Sequence, residues 1–419
     1  MNNLLSNRNR KNKNTTNYNR RICVLGGGFG GLYTALELCK FAQFHHSNYE
    51  IILIEKKERF LFTPLLYEVV TGELLDWEVA PSYQKLLADS PVKFYQAEIE
   101  NVDLEQKLIN LENGEILNYD YLVLAVGKET RLDILPGAAE YAQTFRSLAD
   151  AERLKEKLII LETSDISIIK IAVAGAGPNG VEIACKLADR LGKKGEIHLI
   201  DRGNEILKTL PKSCQTASYR ALLKRNVQIH LHTSLERIKA DEIIINYQGK
   251  TERLSTDLVL WTGGNQSIQW VKELSCQHNQ YGQLIATPTL QIAEYPEVFV
   301  LGDLAEIRDK KGKISPTTAQ AAFQQAPRAA KNIWAKITGK KLKSFSYLHL
   351  GEMLTLGVKN AVVFSFGITL DGKLAGIIRR GVYIQRLPTL KHKLQVAKRW
   401  IFGGKKNKCS RKDAKTQRE

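Results

Sequence analysis

The sequence predicts an α/β chain in which one unit of strand, glycine turn, helix, strand and acid occurs twice, followed by a C-terminal region of different character. Three observations carry this. An apolar strand, Ile22-Cys23-Val24-Leu25, runs into Gly26-Gly27-Gly28-Phe29-Gly30-Gly31, a helical pattern continues from Leu32 to about Phe44, and Ile51-Ile52-Leu53-Ile54 ends on Glu55. The order returns with Ile169 to Ala174, Gly175-Ala176-Gly177-Pro178-Asn179-Gly180, a helix through Leu191, and Ile197-His198-Leu199-Ile200 ending on Asp201. Past Phe345 the pattern changes and the chain becomes strongly basic.

Each part of the repeated unit has a physical job in holding a dinucleotide. Gly26 permits the tight turn, Gly28 lets the backbone approach a pyrophosphate, and Gly31 lets helix and strand pack closely, with Phe29 and Gly30 between them. Free N–H groups and the positive end of the helix dipole hold the phosphates. Glu55 is placed to accept from a ribose. In the second copy these places fall to Gly175, Gly177, Pro178, Asn179, Gly180 and Asp201. Asp201 favours a free ribose hydroxyl and hence NADH, whereas Arg202 beside it could accept a 2′-phosphate. Two complete units predict two Rossmann-like dinucleotide-binding domains, one holding FAD permanently and one exchanging NAD(P)H. Hydride transfer needs stacking and position more than an acid or base.

Taken in order, the chain after Glu55 enters an apolar, aromatic loop, Phe60 to Tyr67, whose Thr63, Pro64 and Leu65 are expected to line a cavity or pack under the FAD. An antiparallel strand layer is expected between Val92 and Leu117, with Ile99 in the FAD-binding set. A buried strand then stops at Gly127, which leaves room for a ligand. A linking helix from Ser147 to Leu161 leads to the second unit, followed by a hairpin layer from Val227 to Tyr247 and a buried strand ending in Gly263-Gly264. The strand from Pro296 closes on Gly302-Asp303, where Asp303 either binds a ligand hydroxyl or caps a helix. In the helix from Thr317 to Ile337, Ala319 joins the FAD set. Gln320 and Gln324 share a face and either offer amides to a polar ring or face solvent, with Gln325 beside them.

Composition bounds the rest. A chain of 419 residues, 43% apolar, should hold two or three domains. A formal charge of +17 points to an anionic partner, membrane lipid or nucleic acid, or else to a generally basic surface. Six scattered cysteines without C-x-x-C spacing argue for a reducing compartment and against a disulfide framework, a structural zinc or a redox-active disulfide; no metal is expected. No run approaches the roughly eighteen apolar residues of a membrane span, and the first twenty residues lack the apolar core of a secretory signal. From Lys373 onward, fifteen Lys and Arg face only Asp413 and Glu419. Interleaved apolar residues from Val382 to Phe402 read as one amphipathic basic helix suited to an anionic membrane surface. Nucleic acid is disfavoured because no recognition module accompanies the charge.

The expected division is therefore a disordered basic tail at 1–20, a discontinuous FAD-binding domain at 21–146 and 282–345, an NAD(P)H-binding domain at 147–281, a strand-rich C-terminal segment with the membrane-surface helix at 346–403, and a basic tail at 404–419.

Taken together, Gly26 to Gly31 with Glu55, Phe62-Thr63-Pro64-Leu65-Leu66, Gly175 to Gly180 with Val181-Glu182, Gly302-Asp303 and Ala319-Gln320-x-x-x-Gln324-Gln325 resemble the type II NAD(P)H:quinone dehydrogenases over about Arg21 to Arg399. The resemblance implies a monotopic flavoprotein with non-covalent FAD, a quinone acceptor and no proton pumping. It places Glu182 near the nicotinamide and quinone side of the flavin, and Gln320 and Gln324 at the border of the quinone pocket. By its position alone, Glu182 is also a first-turn acid favoured by the helix dipole. Leu66 to Glu73 and Trp77 to Pro81 look most like the cyanobacterial and plastid branch, which is similar to demethylphylloquinone reductases of phylloquinone synthesis. The resemblance further implies a peripheral protein on the cytoplasmic or stromal-equivalent face of a plasma or thylakoid membrane. Readings left open are a respiratory enzyme acting on plastoquinone, menaquinone or ubiquinone, a reductase of a protein electron carrier, a non-catalytic nucleotide sensor, and a homodimer.

Overall fold

Buried aliphatic strands set the architecture of the computed structural model, which describes residues 20–41 and 49–402. Strands apolar on both faces suit a parallel sheet covered on both sides. Five of them pair in the order Val298–Val300, Tyr121–Leu124, Arg20–Leu25, Tyr49–Ile54 and Lys93–Tyr95, with Val24 opposite Leu53 and Val123. A second parallel sheet has the order Gln228–His230, Gly195–Ile200, Ile169–Ala174, Leu258–Trp261 and Ala142–Thr144, with Val173 opposite Leu199 and Leu260. After Leu124 the chain leaves the first sheet, builds the second, and returns to the first at Val298. Each sheet carries a helix straight after its central strand, Phe29–Leu38 in one and Pro178–Leu191 in the other. The helix Ala319–Ile337 lies along Phe29–Leu38 and closes the first layer.

The C-terminal region is a three-stranded antiparallel sheet, Glu352–Thr355, Ala361–Ser365 and Ile368–Asp371, followed by helices Gly372–Arg386 and Leu390–Phe402. Ala361, Val363 and Ala375 form a small core between sheet and first helix. No helix among the described residues is long and apolar enough to cross a membrane.

Several boundaries differ from the sequence expectation, each for a local reason. The first glycine-loop helix starts at Phe29, and Leu38 is its last residue. The part expected beyond Phe41 lies outside the described residues. Lys93–Tyr95 leaves the expected antiparallel layer to become a parallel edge beside Tyr49–Ile54, and Gln228–His230 does the same beside Gly195–Ile200. Alternation of period two cannot tell such an edge from an antiparallel strand. The antiparallel layers themselves are Ile99–Asp103, Leu108–Leu111 and Ile116–Asn118 in the first unit and Thr233–Ile238, Glu242–Tyr247 and Lys250–Ser255 in the second. The linking helix runs Leu148–Thr163, with Ser147 as its cap: the Ser147 hydroxyl accepts from Asp150 N at 3.1 Å and the Asp150 carboxylate accepts from Ser147 N at 2.9 Å. Arg20 belongs to the first strand, whereas the rest of the amino-terminal tail and the 404–419 tail lie outside the described residues.

The single basic helix expected from Val382 to Phe402 is two helices. Pro388 lacks the N–H needed to continue, and Leu387 before it is extended, with ψ 151°. Its last helix is not simply a surface element, because Glu78 pins it. That carboxyl group is fully buried and accepts from Leu75 N at 2.7 Å, from Trp400 Nε1 at 2.9 Å and from Arg399. The Glu78 carbonyl accepts from His392 Nε2 at 3.0 Å, and burial pushes the His392 imidazole down to about 4, so it is neutral and can donate.

Replacing Glu78 by Ala leaves Trp400 and Arg399 without an acceptor and should cost on the order of 2 kcal/mol. Amide hydrogen exchange of Leu390–Phe402 should accelerate while the two parallel sheets keep their protection. Unchanged exchange in that helix would show that Glu78 does not hold it.

Candidate functional site

The first glycine turn is shaped by close approach. Gly26, at φ +93°, donates its N–H to Ile54 O at 2.8 Å, and a Cβ on Gly31 would lie 1.8 Å from Gly26 O. Nothing comes within 4 Å of a Cβ built on Gly28, so the space above the turn is open. Glu55 accepts from Gly27 N at 2.8 Å and from Lys57 N at 3.1 Å, which fixes a carboxylate beside the turn. Phe29 opens the helix and packs edge-on against Phe60 and Phe62, while Gly30 faces Leu301.

A cavity of about 590 Å³ adjoins this turn, lined among others by Gly26, Glu55, Ile99, Val126, Thr130 and Arg146. Concave shape, an open glycine turn at a helix start, a fixed acid and an arginine are what the nucleotide half of FAD requires, and these residues fit it. Gly127, at φ +73° with open space around it, sits past the end of Tyr121–Leu124. Gly302, at φ +74°, donates its N–H to Gln325 Oε1 at 2.8 Å. The Asp303 carboxylate makes no hydrogen bond among the described residues; burial raises its pKa, opposed by Arg146 and Lys128. An acid in that condition has its acceptors free for a ligand hydroxyl. Ala319 opens its helix next to this point, behind the cap Thr318, whose hydroxyl accepts from Ala321 N at 3.2 Å.

The second turn repeats the first almost atom for atom. Gly175, at φ +110°, donates to Ile200 O at 2.8 Å, a Cβ on Gly180 would lie 1.8 Å from Gly175 O, and Gly177 is open. Asp201 accepts from Ala176 N at 2.7 Å and from Gly203 N at 2.6 Å, so its charge is fixed at the ribose position, with Arg202 exposed next to it. Pro178 and Asn179 form the first turn of the helix, and Gly263, also open, lies past the strand Leu258–Trp261.

The loop after Phe62 links the first unit to the second glycine turn. Thr63, Pro64 and Leu65 form one turn of 3-10 helix; Thr63 is exposed and Leu65 fully buried. Tyr67 then donates its hydroxyl to Asn179 Oδ1 at 2.9 Å, which docks the first unit on the helix start of the second. One turn further along that helix stands Glu182, 6% exposed, its Oε1 accepting from Thr355 N at 2.8 Å and lying 3.6 Å from Arg379 Nη2. Burial pushes the Glu182 carboxyl up to about 7, against the pull of Arg379 and the Thr355 N–H, with Glu68 adding to the rise.

Sequence reasoning did not single out Arg379, which contacts both Glu182 and Glu68. It is 2% exposed, pairs with Glu68, donates to Pro64 O at 2.5 Å, and lies with its guanidinium 4.8 Å from the Tyr383 ring centroid. Burial works against the Glu68 charge, but Arg379 and Lys186 outweigh it and hold its carboxyl below the ordinary range. Lys186, also buried, pairs with Glu73, and Arg380 reaches the same acid at 2.7 Å. A signal was present: Glu182 and Lys186 are four apart on one helix face, and Glu68 and Glu73 stand in an apolar stretch. Arg379 and Arg380 were absorbed into the basic tail.

Gln320 and Gln324 do not offer free amides. Gln320 Nε2 donates to Gly351 O at 3.1 Å while its Oε1 accepts from Tyr347 Oη at 2.7 Å and Leu350 N at 3.1 Å. Gln324 donates to Leu348 O at 2.8 Å and accepts from Leu348 N at 3.1 Å. Both therefore hold the segment Tyr347 to Gly351 against their helix. Gln325, which donates to Ser315 Oγ at 3.3 Å, braces Gly302. The five described cysteines are all free, and Cys23, Cys185 and Cys214 are buried.

The chain is similar to known proteins over most of its length. The pyridine nucleotide-disulphide oxidoreductase family matches residues 20–326. A demethylphylloquinone reductase of Synechocystis sp. is 43% identical over 91% of this chain and 95% of its own length. An alternative NAD(P)H-ubiquinone oxidoreductase C1, chloroplastic/mitochondrial, of Arabidopsis thaliana is 36% identical over 91% of this chain and 80% of its own. Among solved structures, NDH2 from Plasmodium falciparum in complex with NADH superposes with a TM-score of 0.82 at 21% identity, covering 92% of this chain and 99% of that one.

With a carboxyl pKa of about 7, the folded chain holds the Glu182 proton below neutrality and releases it above. Infrared difference spectra across pH 5 to 9 should therefore show a protonated carboxyl band that disappears near pH 7 and is absent in Glu182→Gln. A wild-type spectrum without that band at the acid end would mean that Arg379 keeps the group ionised throughout.

Proposed function

The chain belongs to the pyridine nucleotide-disulphide oxidoreductase family, and within it to the type II NADH:quinone oxidoreductases; from that premise we propose that it transfers two electrons from NAD(P)H to a membrane quinone. The observation that carries the proposal is the docking of Tyr67 on Asn179, which ties the first unit to the helix of the second that carries the buried, protonatable acid Glu182. FAD, when bound, supplies the two-electron carrier between nicotinamide and quinone.

In this reading Gly26, Gly28, Gly31, Glu55, Ile99, Gly127 and Asp303 hold the FAD. Gly175, Gly177, Gly180 and Asp201 hold the nicotinamide nucleotide. The fixed charge of Asp201 opposes a 2′-phosphate and favours NADH. Glu182 holds a proton that a reduced quinone needs, and Arg379 orients Glu182 from its far side. Gln320 and Gln324 act by holding the wall from Tyr347 to Gly351. The relative in Synechocystis supports demethylphylloquinone as the quinone.

Exposed apolar side chains support attachment to a membrane surface. Phe366 (84%) and Ile377 (68%) stand on the C-terminal sheet and its helix, with Ile368 and Leu374 exposed between them, and Leu390, Leu394 and Ile401 continue on the last helix. Isolated exposed apolar residues need no explanation, but a set gathered on one small region does.

Anaerobic addition of NADH should bleach the bound flavin faster than NADPH does, and a naphthoquinone should restore its colour. Flavin that neither nucleotide reduces would end the proposal. For the membrane, Phe366→Glu with Ile377→Glu should weaken sedimentation with vesicles about tenfold or more. Turnover of a water-soluble quinone should stay as in the parent chain. Undiminished sedimentation would place the contact elsewhere.

A further inference from the structure

Outside the nucleotide sites lies a groove of about 740 Å³ lined by Lys310, Lys311, Lys313, Arg328, Lys341 and Lys343. Its one acid, Asp309, also lines it, with Oδ1 engaged by Lys311 N at 2.8 Å and Lys313 N at 3.0 Å. That turn is tight, with Gly312 at φ +78°, and it splays three lysines toward the groove. Among the described residues none of the six cations forms an ion pair. Six cations against one acid around one concavity leave a strong net positive charge, and an anion seated among them relieves the repulsion.

The groove also has a direction. Through Arg328, Phe345 and Ser346 it adjoins a smaller cavity of about 280 Å³ that reaches Phe323 and Gln324, on the helix that braces the proposed quinone wall. Tyr347, which also lines the groove, is followed by exposed Leu348 and by Leu350, whose carbonyl accepts from Ser365 Oγ at 2.8 Å, next to exposed Phe366. A cationic basin bordered by exposed apolar side chains matches a molecule with an anionic head and apolar chains.

We propose that this groove seats the phosphate-bearing headgroup of an anionic membrane lipid, with the lipid chains lying toward Leu348, Leu350 and Phe366. This rests on the membrane reading above and deepens it, naming the lipid class and the place where it binds. The site would hold the chain on the bilayer with the smaller cavity beside Gln324 facing the membrane.

The test compares vesicle sedimentation of the flavin-loaded full chain with two variants of equal charge change. One is Lys310→Gln/Lys311→Gln/Lys313→Gln/Arg328→Gln; the other, remote from the groove, is Lys157→Gln/Lys193→Gln/Lys224→Gln/Lys250→Gln. The parent should prefer phosphatidylcholine vesicles containing phosphatidylglycerol over pure phosphatidylcholine by about tenfold or more. The groove variant should lose most of that preference, and the remote variant should keep it. Equal losses in both variants, or no lipid preference in the parent, overturn the groove while leaving membrane binding intact. Failure of the parent to bind any vesicle overturns both. In a separate arm, short-chain phosphatidylglycerol should compete well below the concentration at which inorganic phosphate does. Equal competition would make this a site for soluble anions and overturn the lipid assignment.

Discussion

A guanidinium removed from water is tolerable only with its charge matched, and Arg379 meets that demand through its two Nη groups, its Nε staying without a partner, by drawing three separated parts of the chain to one point. Glu68 comes from the loop after the first glycine unit, Glu182 from the helix of the second, just past its first turn, and Arg379 itself from the C-terminal helix. Without Glu68, the buried guanidinium would keep only the more distant Glu182 as an acid partner, in a place where water cannot replace the lost one. The neighbouring set of Glu73, Lys186 and Arg380 repeats the logic one turn away. Through these contacts the C-terminal region becomes a wall of the proposed reaction site rather than an appendage. The same cluster explains how one acid, Glu68, stays charged while another, Glu182, titrates near neutrality: Glu68 has two cations against it, and Glu182 shares one at longer range.

Much of this was legible beforehand because it rests on local steric rules. Gly26, Gly31, Gly175 and Gly180 could be read from spacing, since a Cβ at Gly31 or Gly180 collides with a backbone carbonyl five residues earlier whatever the rest of the chain does. The acids closing each unit follow from the same pattern. Partners far apart in sequence were not legible. No spacing rule connects Glu78 to Trp400 or Glu68 to Arg379, and net charge drew the eye toward solvent for residues that turn inward. The glutamines show the limit from the other side. Their shared face was readable, but the segment that consumes their amides lies about one further helix-length along the chain and carries no signal of its own.

Basic residues therefore do two unlike jobs in this protein. Arg379, Arg380, Lys186 and Arg399 are spent on buried or half-buried acids and hold elements together. Those of the 310–313 turn are unmatched and outward, and they are the ones available to an external anion. A formal charge of +17 describes neither group, since it sums over both.

One topological feature bears on how the molecule comes into being. Val298–Val300 is an edge of the first sheet, pairing with Tyr121–Leu124, although the whole second nucleotide unit lies between them in the chain. During synthesis, the second unit can emerge and close on its own strands while the first still lacks an edge and the helix Ala319–Ile337 that covers it. Folding of this chain is thus nested: the domain begun first is completed last, and until then its apolar strand edge stands open to chaperones and to other nascent chains.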